Sequence, residues 1–218
     1  MYLPQGSLES GRVSYNLSRI QEPSPDSLIQ FDPINGVPAS EETFVWSGYD
    51  SENIYFAFLL KDSVPNKIYG ELCPRNQYDN SDEITVIRDT YNDKRTAIMF
   101  SLNPKGIQKT KSYSMGLSRI VDIVWRGEAR VTKDGWIAEI AIPFKSLRFK
   151  ESKIQTWQVN FKRYIQRLKE TDYWTPIKRD EKLLTKSGSL EGLEKIHPNH
   201  NIEAFPYFEV SRYRLFSS

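Results

Sequence analysis

Alternation of large apolar and polar positions at a period of two runs through most of the chain, the pattern of strands that bury one face. Ile54, Phe56, Phe58 and Leu60 share one phase between Asp50-Ser51-Glu52-Asn53 and Asp62-Ser63, and predict a core strand. Residues 83–89 and 95–102 predict a hairpin joined by Thr90-Tyr91-Asn92-Asp93-Lys94. A second hairpin is predicted from residues 121–131 and 136–142, because Gly135 in Lys133-Asp134-Gly135 can take the positive φ that a tight turn needs. Its second strand sets Trp136, Ala138, Ile140 and Ile142 against Ile137, Glu139 and Ala141, and Pro143 stops it. A buried Glu139 would need a basic partner, for which Arg148 is a candidate. Residues 157–167 place Trp157, Val159, Phe161, Arg163 and Ile165 in one phase and Gln158, Asn160, Lys162, Tyr164 and Gln166 in the other. One face is expected to be core and one hydrated. Residues 144–149 predict a helical turn, and residues 203–210 alternate like a further strand at a sheet edge or at the start of a following region.

Short strands between turn signals, with no helical period and no internal repeat, predict an all-β fold, a jelly-roll-like β-sandwich of two antiparallel sheets with at most short helical turns. At 218 residues one sandwich core is the expectation. It is assigned to residues 28–204, after an N-terminal crossing segment (1–27) and before the start of a C-terminal region (205–218). Thirty basic and 28 acidic residues leave a net charge of +2, which argues against a nucleic-acid footprint. The single Cys73 excludes an intramolecular disulfide and Cys-based metal clusters. The chain contains no run of eighteen apolar residues.

Several blocks carry a wider likeness: Gln30-Phe31-Asp32-Pro33, Gly36-Val37-Pro38-Ala39-Ser40-Glu41, residues 89–97 (DTYNDKRTA), Asn103-Pro104-Lys105-Gly106, residues 131–149 (VTKDGWIAEIAIPFKSLRF), Phe161-Lys162-Arg163, Arg167, Glu170, Trp174 and Phe205-Pro206-Tyr207. In this order and spacing the sequence resembles the family-nine carbohydrate-binding-like domain at the N-terminus of large bacterial outer-membrane proteins. The resemblance implies a non-catalytic β-sandwich that captures or positions a glycan in the cell envelope, with an outer-membrane barrel following in the same chain and a role in carbohydrate catabolism for the whole. The alternative is a structural or docking domain for that barrel without sugar binding. One departure is that Gly6-Ser7-Leu8-Glu9-Ser10 replaces the family's Gly-x-Leu-Asp-Glu opening and its following Trp, removing a carboxylate pair.

Sugar recognition needs flat apolar faces for a pyranose ring and planar side chains for its hydroxyls. Tyr91, Trp125, Tyr164 and Trp174 are candidate platforms, with Trp46 and Tyr113 beside them, and Arg88 and Arg163 are candidate forks. The same aromatics could serve a core, and the arginines, with Asp89, Arg167 and Glu170, could form internal ion pairs. The resemblance implies a structural calcium ion, for which Asp50 and Asp82 in acidic loops are candidate ligands. Catalysis has little basis. His197 and His200 lack a third ligand, no nucleophile motif occurs, and Asp122, Glu128 and Glu139 are ordinary strand or loop acids unless paired as a glycosidase dyad. Haem ligation by Met99 or Met115 competes with plain packing or exposure.

Overall fold

In the computed structural model, which describes residues 28–197, the period-two runs become strands of two antiparallel sheets. In chain order they are β1 (Ile29–Asp32), β2 (Thr43–Tyr49), β3 (Asn53–Lys61), β4 (Glu83–Asp89), β5 (Thr96–Leu102), β6 (Gln108–Ser114), β7 (Leu117–Ile120), β8 (Arg126–Thr132), β9 (Gly135–Pro143), β10 (Ile154–Ile165), β11 (Glu170–Tyr173) and β12 (Gly188–Glu194). The smaller sheet has the order β2-β3-β9-β8, and the larger runs β1-β11-β10-β4-β5-β6-β7 with β12 also paired to β10. Short 3-10 turns occupy Pro65–Lys67, Phe144–Ser146 and Gln166–Leu168. The expected all-β sandwich is the fold.

Register sets the core. Ile54, Phe56, Phe58 and Leu60 on β3 lie opposite Ile142, Ile140, Ala138 and Trp136 on β9, so small Ala138 makes room beside Phe58. The facing sheet supplies Ile84, Val86, Phe100, Leu102, Trp157, Val159 and Phe161. Phe161 meets Phe56 and Phe58 edge-on at 5.7 and 5.6 Å, the geometry the ring quadrupole favours. Burying each such side chain contributes roughly 1.5–3 kcal/mol. Gly135 closes the β8–β9 hairpin at φ +146°, where an added Cβ would stand 2.0 Å from the Leu60 carbonyl oxygen.

The structure departs from the sequence reading at four places. Residues 121–125 are not strand: β8 starts at Arg126, and Trp125 turns inward against Phe100. The β6–β7 hairpin went unread because its polar residues hide the alternation. The second face of β10 is only partly hydrated. Asn160 is fully buried there and bonded to Thr175 in the loop after β11, while Lys162 and Tyr164 are half-buried. Glu139 is half exposed on the outer face of the smaller sheet, opposite Glu128 and not beside Arg148, so it needs no basic partner; burial first and then Glu128 raise its pKa.

Antiparallel pairing gathers the loops at two ends. Residues 33–42, 62–82, 103–107, 133–134 and 166–169 lie at one, and residues 50–52, 90–95, 115–116 and 144–153 at the other.

Candidate functional site: a polar groove at one end of the sandwich

At the first of these ends the inner face of β10 places Arg163, almost fully buried, between the buried Phe161 and Ile165. Its guanidinium donates to the carbonyls of Glu42 (2.9 Å) and Lys61 (2.5 Å) and to Thr43 Oγ1 (3.0 Å), tying β10 to the smaller sheet. Burial lowers its pKa, against the opposing pull of Asp172, Asp62 and Glu41. Arg167, in the turn after β10, donates to Asp62 Oδ1 at 3.0 Å and pairs with Glu41. Desolvation works against the charged form of Arg167, but Asp62 and Glu41 outweigh it and hold its pKa up. Glu170 accepts from the backbone N–H and hydroxyl of Ser40 at 2.7 and 2.6 Å.

Asp82 joins two loops over this base. Its carboxylate accepts the backbone N–H groups of Tyr69 (2.7 Å) and Gln166 (3.3 Å), and its own N–H donates to the Tyr69 carbonyl at 2.9 Å. Burial raises its pKa, opposed by those two hydrogen bonds. The loops so held enclose a shallow groove of about 440 Å³ lined by Asn66, Lys67, Ile68, Tyr69, Asn80, Gln166 and Arg167. Tyr69 is 46 % exposed within it, and Gln166 Nε2 donates to Asn80 Oδ1 at 3.4 Å across the rim. The volume lies within the ordinary range for small-ligand sites. Chemically the groove offers one aromatic face, three planar amides, the Lys67 side chain and a guanidinium braced by two carboxylates, which suits a polyhydroxyl ligand.

The sequence-stated ligand residues are not brought together here. Arg163 is part of the support beneath the groove, closed to a ligand by its own carbonyl partners. Arg88 is buried in the core with its guanidinium 3.7 Å over the Trp157 ring. Trp125 is buried against Phe100, its indole N–H donating to Thr110 Oγ1 at 2.7 Å. Neither leaves a face for a sugar ring, because neighbouring strands already cover both. Trp174 is partly buried and packs on Phe161 at 5.6 Å. Tyr164 is half buried on the outer face of the larger sheet, between Glu83 and Thr171. Glu83 there is held down to about 2: burial works to raise it, and the ammonium groups of Lys162 (3.0 Å) and Lys109 (3.4 Å) override that. Tyr91 is exposed at the opposite end of the sandwich.

Asp50 and Asp82 lie at opposite ends and do not fit a shared calcium site. Asp50 Oδ1 instead accepts the N–H groups of Glu52 and Asn53, and Oδ2 accepts the Tyr55 hydroxyl. Among the described residues no group of three or more His, Cys, Asp or Glu side chains is placed to hold a metal ion; His200 lies outside them. Met99 packs in the cluster of Ile87, Ala97 and Leu184. Asp122 pairs with Arg75 at 3.8 Å, apart from the Glu128–Glu139 pair.

Asn66, Tyr69, Asn80 and Gln166 were not anticipated as a site. The one signal available was an isolated Tyr in an aperiodic stretch flanked by the turn-forming Pro65-Asn66-Lys67 and Asp79-Asn80-Ser81-Asp82.

No family model matches the sequence, and comparison with curated proteins finds no match. Among solved structures, a candidate carbohydrate-binding protein from Bacteroides uniformis has a TM-score of 0.60 at 12 % identity, covering 75 % of this chain and 85 % of that one. A family 9 carbohydrate-binding module from Caldicellulosiruptor kristjanssonii, in complex with glucose, has a TM-score of 0.51 at 11 % identity, covering 88 % of each chain. At these identities the likeness is one of fold.

Proposed function

We propose that this protein is a non-catalytic carbohydrate-binding domain that holds a glycan in the groove bounded by Tyr69, Asn80 and Gln166. The observation that carries the reading is a half-exposed aromatic ring inside a rim of amides and a fixed guanidinium. The sugar's apolar ring face stacks on Tyr69, while Asn66, Asn80, Gln166 and Arg167 take its hydroxyls. Arg167 is already oriented by Asp62 and Glu41, so little side-chain entropy is lost on binding. No bond is made or broken. The sandwich folds of the two similar structures, one holding glucose and the other a candidate carbohydrate-binding protein, support this reading.

In the same proposal the domain belongs to the cell envelope of a bacterium, ahead of an outer-membrane barrel, as the blocks between residues 28 and 207 suggest. A glycan array that includes cell-wall polysaccharides, followed by calorimetry on the hits with wild type and Tyr69→Ala, tests the binding. Saturable binding lost in the variant supports the groove. A blank array with folded protein overturns the reading. Fractionation of cells making the native full-length protein tests the location, and recovery in the cytosol would refute it.

A further inference from the structure

The end of the sandwich opposite the groove carries exposed apolar side chains among basic ones. The β6–β7 turn holds Met115 and Gly116 at φ 51° and 89°, which closes the hairpin tightly. Met115 is 83 % exposed at its tip and Leu117 66 % exposed beside it. The neighbouring β4–β5 loop is fixed from within. Asp89 accepts the N–H groups of Tyr91 (3.0 Å) and Lys94 (2.8 Å), and Asp93 those of Arg95 (2.7 Å) and Thr96 (2.9 Å). The loop's two acids are thereby engaged with backbone, while Tyr91, Lys94 and Arg95 are exposed. Met115 N–H donates to the Arg95 carbonyl at 3.4 Å, and the Thr90 hydroxyl to the Arg148 carbonyl at 2.5 Å, so three loops form one surface. Arg119, Arg148 and Lys150 are exposed too, and among the described residues none of these five cations is in an ion pair.

We infer that this end docks on an anionic lipid surface. Met115 and Leu117 enter the boundary between headgroups and acyl chains, the Tyr91 ring lies at headgroup level, and Lys94, Arg95, Arg119, Arg148 and Lys150 meet lipid phosphates. Two features select a lipid layer over a protein partner. The apolar residues sit on a protruding hairpin tip, which a deformable layer accommodates, and in the three loops around them Lys94, Arg95, Arg119, Arg148 and Lys150 outnumber the exposed acids Asp93 and Glu151. The groove lies at the other end of the sandwich and stays open to solvent when this end is seated, so the inference does not depend on what the groove binds.

The test is vesicle flotation of the full 218-residue chain with phosphatidylcholine alone and with phosphatidylcholine containing phosphatidylglycerol, at low and high salt. The expected result is retention on anionic vesicles that weakens with salt. Combined M115S and L117S should reduce it about tenfold or more. K94Q and R95Q should each reduce it roughly fivefold. Circular dichroism and thermal unfolding of the same variants confirm that they fold. The inference is overturned by no retention at low salt, by equal retention on neutral vesicles, or by retention that the folded M115S, L117S variant keeps. Concentration-dependent self-association abolished by that variant would assign the surface to a second copy and equally overturn it.

Discussion

Asp82 and Tyr69 are bonded in both directions, carboxylate to N–H at 2.7 Å and N–H to carbonyl at 2.9 Å, which fixes the one exposed aromatic of the groove on a buried carboxylate. Tyr69 and Asp82 therefore fail differently when replaced. Tyr69→Ala removes a half-exposed ring and is expected to leave the melting temperature nearly unchanged while weakening glycan binding by tenfold or more, about 1.4 kcal/mol. Asp82→Ala frees the N–H groups of Tyr69 and Gln166, and is expected to cost about 1–3 kcal/mol of stability together with binding. Thermal unfolding and calorimetry on both variants separate the two effects.

Asp172 faces inward on β11, fully buried, with Glu170 beside it and Arg163 opposite. Burial, and then the neighbouring Glu170 carboxylate, push its pKa up to about 8, only partly offset by Arg163. The folded state thus keeps a proton that the unfolded chain releases near 3.8. For a raised acid, stability is highest below the unfolded value and falls as pH rises towards about 8. Asp172→Asn removes the titration. Melting curves between pH 5 and 9 are expected to show wild type losing stability across that range relative to the variant, with the variant several degrees more stable at pH 9. Parallel curves would refute the pair.

Trp174 was one of the aromatics the sequence offered as a sugar platform, and its surroundings make it a packing residue. It lies against Phe161, and a Cβ on Gly188 would stand 2.0 Å from its ring. Gly188→Ala is expected to cost about 1–3 kcal/mol through overpacking. Trp174→Ala is expected to cost about 3–5 kcal/mol through the cavity it leaves, with little change in glycan affinity of the protein that remains folded. Loss of binding without loss of stability would return Trp174 to the site.

Arg88 is buried with no hydrogen-bond partner for its guanidinium nitrogens, which rest on the Trp157 ring. Burial pulls its pKa well below the usual arginine value, which signals a charge held at a cost. Arg88→Met keeps the length and the ring contact without the charge, and is expected to stabilise the fold, by about 1–4 kcal/mol if it behaves as other buried charges replaced by apolar side chains do. Denaturant unfolding measures this directly, and destabilisation would show that the guanidinium has a partner the fold depends on.

Much of the architecture was legible because burial on one face of a strand leaves a period of two. Ile54 to Leu60 and Trp136 to Ile142 state their inner faces outright, and Gly135 announces the turn between its strands. The β6–β7 hairpin escaped because a strand near a sheet edge need not be apolar, and the second face of β10 misled because Asn160 there is buried and bonded to the loop after β11.

The sequence by itself determined the fold class, most strand phases and the core places of Trp136 and Trp157, all of which follow from local periodicity. Only the tertiary structure decided that Arg163 is scaffold, that Arg88 and Trp125 are sealed in, and that Tyr69, Asn80 and Gln166 share a groove. Gln166 stands 97 positions beyond Tyr69, and no local pattern encodes their meeting. It is made by sheet register and by the two hydrogen bonds that Asp82 accepts.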